Sequence, residues 1–165
     1  MGVVGCHRRD FSRMSRRDQI RMTEPETEAF LAGRRTMSVA TVGPSGHPHV
    51  VAMWYGFLAG VPAFWTYGKS QKIANLRRDP KLCCLVEDGE TYEELRGVEI
   101  VGSGTVIEDP EVVLQLGCSI YARYFGELNG AAREAVAVMG TKRVAVRINA
   151  EKIVSWDHAK LGGIY

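Results

Sequence analysis

The sequence predicts a mainly β, α+β domain, an antiparallel barrel of six strands with three to four peripheral helices. Three observations carry this. Apolar, partly alternating runs at residues 36–42, 49–58 and 61–67 are separated only by Gly43-Pro44-Ser45-Gly46 and by Ala59-Gly60. Turn signals that short join consecutive strands as hairpins, so the three are antiparallel neighbours. A long β run at 98–107 carries Gly102 and Gly104, which weaken a flat strand and mark a bend or bulge where a sheet curls. Finally, 165 residues that are 45% apolar and 24% charged suit one core, and the hairpin-rich order disfavours a parallel doubly wound sheet.

The remaining elements follow in order. Thr23-Glu24-Pro25-Glu26 is a capping box with Pro in the first turn, opening a short helix with Ala29, Phe30 and Leu31 that Gly33 closes. Ser70 can cap a helix carrying Ile73 and Leu76, which ends before Pro80, and 82–86 reads as a buried strand. A polar link at 87–94 precedes the 98–107 run. Asp109-Pro110 starts a helix with Val112, Val113, Leu116 and Ile120 along one side, and a further helix runs from Asn129 to Met139 and stops at Gly140. Strand material at 143–148 and 152–156 completes the barrel.

Charge is uneven. Residues 1–22 hold six arginines against two aspartates, while the whole chain carries +2, so a basic, flexible arm precedes a mildly acidic domain at 23–165. The arm reads either as a solvated tail or as a binder of an anionic cofactor tail. Nucleic acid is not expected as a partner, because no aromatic residues interleave the basic ones. No apolar stretch approaches the roughly 20 residues that span a bilayer and none follows the arginines as a signal sequence, so a cytoplasmic location is expected. Cys83 and Cys84 are adjacent in a strand and point to opposite faces, which favours reduced thiols. His47 and His49 lack a third ligand at metal spacing and read as polar surface, so no metal site is expected.

Chemistry concentrates in Phe64-Trp65-Thr66-Tyr67-Gly68-Lys69-Ser70-Gln71-Lys72. A strand delivers Thr66 to a tight turn, and the turn opens a helix whose first free N–H groups lie near Gln71, Lys72 and Ile73. Backbone donors, the helix dipole and the ammonium groups of Lys69 and Lys72 can hold a phosphate there. By spacing alone, an ordinary lysine-rich helix start fits equally well.

Four stretches, in this order, give the chain a resemblance. They are Val39-Ala40-Thr41-Val42-Gly43-Pro44-Ser45-Gly46-His47-Pro48-His49, Ala52-Met53-Trp54-Tyr55, Lys69-Ser70-Gln71-Lys72 with Asn75-Leu76-Arg77-Arg78-Asp79-Pro80, and Ser155-Trp156-Asp157-His158. From about Ser15 to Tyr165 the sequence resembles the pyridoxamine 5′-phosphate oxidase-like split β-barrel family, particularly its branch of deazaflavin (coenzyme F420) dependent reductases. The resemblance implies a homodimer with a flavin-type ring in the groove between subunits. It implies a phosphate site at Thr66, Lys69, Ser70, Gln71 and Lys72, and a ring flanked by the strand Val51, Ala52, Met53 and Trp54. Trp156 and Lys160 fall on a C-terminal segment that in relatives approaches the other subunit's cofactor. Trp54, Trp65 and Trp156 read equally well as packed aromatics, and residues 75–80 as helix packing and termination.

True pyridoxamine phosphate oxidases carry an Arg and a Lys on the second strand, where this chain has His49 and Met53, and close with an Arg-x-Leu-x-Pro motif that this chain lacks. Vitamin B6 oxidation is therefore not expected. The reading is a coenzyme F420-dependent oxidoreductase acting on a small unsaturated or carbonyl-containing substrate. An FMN-dependent enzyme on the same fold, or a non-catalytic flavin, deazaflavin or haem binder, stays open. No Ser-His-Asp, Cys-His or paired-carboxylate arrangement argues for hydrolysis. Tyr55, Tyr67 and His158 are candidate proton donors, and no catalytic residue is assigned.

Overall fold

A computed structural model describes residues 15–33 and 36–162. The elements run α1 (Arg16–Gln19), α2 (Glu24–Gly33), β1 (Met37–Val42), β2 (Pro48–Met53), β3 (Gly56–Leu58), β4 (Val61–Tyr67), α3 (Gln71–Arg78), β5 (Lys81–Asp88), β6 (Arg96–Ile107), α4 (Pro110–Phe125), α5 (Gly130–Gly140) and β7 (Arg143–Asp157). Short 3-10 turns lie at Tyr92–Glu94, between β5 and β6, and at His158–Leu161, after β7.

The strands form one antiparallel seven-stranded sheet in the order β2-β1-β5-β6-β7-β4-β3. Its two edges, β2 and β3, are consecutive in the chain and separated only by Trp54 and Tyr55. Seven flat strands about 4.8 Å apart would hold those edges nearly 30 Å apart, whereas a two-residue link reaches only about 11 Å. The sheet must therefore curl, and it is a split barrel closed by a link rather than by a ladder.

The count is seven strands where six were expected, because the run at 49–58 breaks in two. Tyr55 N–H donates to the Tyr124 hydroxyl at 3.1 Å and Phe57 N–H to the Ser119 hydroxyl at 3.0 Å, so α4 captures backbone donors at the bend. In the other direction, 143–148 and 152–156 fuse into the 15-residue β7. The bulge expected near Gly102 is present: β6 pairs Val101 with Lys152 and Gly102 with Ala150, leaving Glu151 as the extra residue. A Cβ on Gly102 would stand 2.0 Å from the Asn149 carbonyl oxygen, so only glycine fits this crossing.

Inside the barrel Met37, Val39, Tyr55, Phe64, Ile73, Val86, Val98 and Val146 form the main core, under α2 and α3. Outside it, α4 buries Val113, Leu116 and Ile120, each burial stabilising by about 1.5–3 kcal/mol, against Leu58, Ala63 and Ala145. The capping box of α2 is in place, with Thr23 N–H donating to Glu26 Oε2 at 2.6 Å and Glu26 N–H to the Thr23 hydroxyl at 3.4 Å. The basic arm lies outside the described residues as far as Met14; beyond it, Met22 is buried and Asp157 N–H donates to the Ile20 carbonyl at 2.7 Å. Cys83, Cys84 and Cys118 are free, and burial pushes the Cys84 thiol up to about 12. Among the described residues no helix is long and apolar enough to cross a membrane.

Candidate functional site

The corner between β4 and α3 is built on an inward-facing threonine. Thr66 is only 7% exposed, and after it the chain turns, with Gly68 N–H donating to the Lys142 carbonyl at 3.1 Å and Ser70 N–H to the Tyr67 carbonyl at 3.0 Å. Ser70 occupies the N-cap position in extended backbone, but its hydroxyl makes no capping bond, contrary to the role expected for it. That oxygen is buried and has no hydrogen-bond partner at all. Leaving such a group unpaired costs about 1–3 kcal/mol, which a ligand bonded to it would recover. Intrahelical bonding starts with Ile73 and Ala74 donating to the Ser70 carbonyl, so the amides of Gln71 and Lys72 precede the ladder and point out of the helix start.

Lys72 folds back over this opening. Its Nζ donates to the Thr66 hydroxyl at 3.0 Å, and burial holds its pKa below the ordinary lysine value. A half-buried ammonium paired only with a neutral hydroxyl is electrostatically incomplete, and an oxyanion is the group that completes it. Behind it, Asn75 is 0% exposed; its amide donates to the Thr41 hydroxyl at 3.0 Å and its carbonyl accepts from the Gln71 amide at 2.9 Å. Arg78 donates to the Val42 carbonyl. These bonds fasten α3 to β1. His49, directly opposite Thr41 across the β1–β2 pair, shares its face, and its buried Nδ1 also lacks a partner.

The other predicted residues lie apart from this cluster. Lys69 is exposed in the turn. Along β2, Val51 and Met53 share the inward face with His49, and Ala52 is exposed. Trp54, just past the strand, stacks on Tyr124 with ring centroids 4.4 Å apart and planes 11° from parallel. Trp156 packs over Gly97, where an added Cβ would meet its ring at 2.4 Å. Lys160 Nζ bonds Glu26 Oε2 at 2.6 Å and the Arg21 carbonyl at 2.9 Å. Of the candidate proton donors, Tyr55 is fully buried with its hydroxyl on the Leu31 carbonyl at 2.6 Å, Tyr67 lies under the Arg143 guanidinium, and His158 meets the Tyr92 ring edge-on.

Sequence reasoning missed Asn75 as the buried hub, and missed the aromatic last turn of α4, whose only signal was Tyr121, Tyr124 and Phe125 at i, i+3, i+4 spacing. A concavity of about 1060 Å³ between α2, the β3–β4 turn and β7 is not at this corner. Among the described residues no three His, Cys, Asp or Glu side chains gather as metal ligands.

Comparison with known proteins agrees with this architecture. A conserved hypothetical protein from Mycobacterium tuberculosis is similar at 43% identity and TM-score 0.87, over 92% of this chain and 95% of that one. A protein described as an F420 reductase is 26% identical with TM-score 0.58, over 76% of this chain and 94% of that one. The haem storage protein HutZ from Vibrio cholerae shares the fold, at 19% identity and TM-score 0.64 over 81% and 96% of the two chains. No curated protein matches the sequence. The family profile described as pyridoxamine 5′-phosphate oxidase matches residues 23–157, and the chain belongs to that family.

Proposed function

We propose that this protein is a homodimeric, cytoplasmic oxidoreductase that binds coenzyme F420 and passes hydride to a small unsaturated or carbonyl-containing substrate. The observation that carries the reading is the unfinished polar cluster at the start of α3: the unpartnered Ser70 hydroxyl, the half-buried Lys72 and the inward Thr66. These groups fit a phosphate, with the Gln71 and Lys72 amides as further donors and the helix dipole aligned with them. His49 offers a donor from β2 on the same face as Thr41. The backbone of Val51–Trp54, running away from His49, would flank the ring.

When bound, the reduced cofactor supplies the hydride, with the balancing proton drawn from water. The chain's own residues would anchor the phosphate and hold the ring against β2. F420 is preferred over FMN because the second strand lacks the basic pair of true pyridoxamine phosphate oxidases, and because an F420 reductase is among the similar chains at 26% identity. Support for the dimer is the outer face of β2-β1-β5-β6, which no described helix covers. Val50 there is 59% exposed and Ala52 also faces solvent, and Ala40, Val42, Cys83 and Val101 line a hollow of about 360 Å³ that a second copy would fill.

Equilibrium titration of the full chain with F420 and with FMN, at low and high salt, tests the cofactor. Tighter F420 binding is expected, and tighter FMN binding throughout would move the assignment to FMN. Sedimentation at micromolar concentration should give a dimer; a cofactor-loaded monomer would remove the shared site.

A further inference from the structure

Between α2 and β7 the described barrel wall is open. β4 pairs with β7 only from Arg143 to Arg147, and Pro62, next in line, has no N–H with which to extend the ladder. Among the described residues, the same edge of β7 is next met at its end. There Asp157 N–H donates to the Ile20 carbonyl at 2.7 Å, and Met22 N–H to the Ser155 hydroxyl at 3.2 Å. Residues 148–154 in between are paired with β6 alone, an open edge roughly 23 Å long at about 3.3 Å per residue. It borders the concavity of about 1060 Å³, where Leu31, Phe57, Ile100 and Ile148 make an apolar floor. Ile153 also lines this slot and is 51% exposed. The facing side of α2 presents Glu24, Thr27, Glu28 and Leu31 at i, i+3, i+4, i+7 spacing. Both glutamates are exposed, and neither has an ion pair among the described residues. Arg147, next to the Pro62 end, and Arg21, next to Met22, bound the slot lengthwise.

An open strand edge beside an apolar floor and an acidic wall fits an extended segment that brings backbone bonding groups, apolar side chains and basic ones. The chain carries such a segment. Residues 1–14, outside the described residues, hold Val3 and Val4, then Arg8, Arg9 and Arg13 against the one carboxylate of Asp10. Their attachment is at the slot, because Ile20–Met22 is fastened along the end of β7 and Lys160 Nζ holds the Arg21 carbonyl at 2.9 Å. At about 3.3 Å per residue they span up to roughly 45 Å, enough to double back along the open edge. A segment tethered this closely acts at about millimolar effective concentration, an advantage that a free peptide of the same chemistry lacks. We propose that residues 1–14 dock in this slot, with Val3 and Val4 beside β7 over the apolar floor and Arg8, Arg9 and Arg13 against Glu24 and Glu28. The proposal is independent of the cofactor reading, and it gives the basic arm a partner within its own chain.

Amide hydrogen exchange on the full-length chain tests this. The amides of residues 148–154 that turn away from β6 should exchange about tenfold or more faster in a Val3→Asp, Val4→Asp double variant than in the parent. Those bonded to β6 should keep their rates. Glu24→Gln combined with Glu28→Gln, which removes the acidic wall, should speed the same open-edge amides by about two- to tenfold. Added salt should speed them in the parent and do less in that variant. If the double aspartate variant does not fold, the parent decides: open-edge amides that exchange as fast as those of the turn at Ala59-Gly60 overturn the proposal. Equal rates in the parent and the double aspartate variant overturn it as well. So does protection that is lost on dilution from dimer to monomer, because the slot is then filled by a second copy. F420 titration of the same proteins separates this inference from the cofactor reading. Arm substitutions that weaken F420 and leave exchange unchanged assign the arm to the cofactor and sink the docking. A parent with a protected edge that binds neither F420 nor FMN keeps the docked arm and loses the cofactor.

Discussion

Lys72 and Lys160 both fall on segments that a flavin-binding relative would use, yet the structure gives them opposite surroundings. Lys160 has a carboxylate at 2.6 Å and a carbonyl at 2.9 Å, and it fastens the C-terminal turn to the capping box of α2. Lys72 has one neutral hydroxyl at 3.0 Å, and burial alone depresses its pKa. The charge of Lys160 is answered within the chain. Two positions before Lys72 the buried Ser70 Oγ has no partner, and neither has the buried His49 Nδ1 opposite Thr41. A lysine whose charge is already matched serves the fold, and one left unmatched beside an unpaired hydroxyl is the candidate for binding an anion.

The largest expected effect follows from that contrast. A hydrogen bond to a charged group contributes about 1.5–3 kcal/mol, so Lys72→Ala should weaken cofactor binding by roughly ten- to a hundredfold. The melting temperature of the free protein should stay nearly constant, because the removed ammonium is half-buried without a counter-charge. Lys160→Ala should reverse the order, with a larger loss of thermal stability than of affinity. Titration calorimetry and thermal melts on both variants decide it, and equal affinity losses would erase the distinction. Arg78 is no silent control for this pair, since its guanidinium ties α3 to the Val42 carbonyl; the exposed His47 serves better.

Next comes pH. The free-protein pKa of Lys72 is lowered, and an anion bound beside it would raise it again. Affinity is then level while the free ammonium is charged, and falls as pH rises through the lowered value towards the value in the complex. Measured between about pH 7 and pH 10, the affinity of Lys72→Ala should lack this fall, which corrects for ionisation of the cofactor itself. Parallel curves for parent and variant would place the anion away from Lys72.

A smaller, mainly structural effect is expected at Asn75. Asn75→Ala leaves the Gln71 amide and the Thr41 hydroxyl without their buried partner, which should cost about 2 kcal/mol of unfolding free energy in urea. Affinity should drop less than for Lys72→Ala, because Asn75 is fully buried and acts through Gln71.

What could be read in advance divides along the same line. The Thr66–Ser70–Lys72 corner was legible because strand, turn and helix start are contiguous, and local spacing alone brings those side chains together. The bulge was legible because glycine at 102 has a local meaning in a long strand. The hub at Asn75 was not, since its partner Thr41 is 34 residues away and lies on a different element. Nor was the break after Met53, where residues 49–58 keep strand-like composition and the interruption comes from α4, 69 residues on. The stack of Trp54 on Tyr124 was hidden for that reason too, because it joins residues on either side of most of the sheet.

The smallest expected effect lies in the clasp, and it tests the claim that Lys160 is matched. The Lys160 ammonium, followed by the Thr23 backbone N–H and hydroxyl, lowers the Glu26 pKa to about 2. For a carboxylate lowered on folding, the stabilisation is complete above the ordinary carboxylate value and is lost as pH falls from there towards the folded-state value. Glu26→Gln keeps a residue able to close the capping box but removes the ion pair. Both side chains meet solvent, at 47% exposure for Glu26 and 26% for Lys160, so screening keeps the difference small and added salt should shrink it. Urea midpoints of parent and variant should therefore differ modestly at neutral pH and converge as the solution is acidified below the ordinary carboxylate range. A difference that persists unchanged in acid would mean that Glu26 acts through packing or hydrogen bonding alone. The Lys160 charge would then be as unmatched as that of Lys72, and counter-charge would no longer separate the lysine that holds the fold from the one that waits for a ligand.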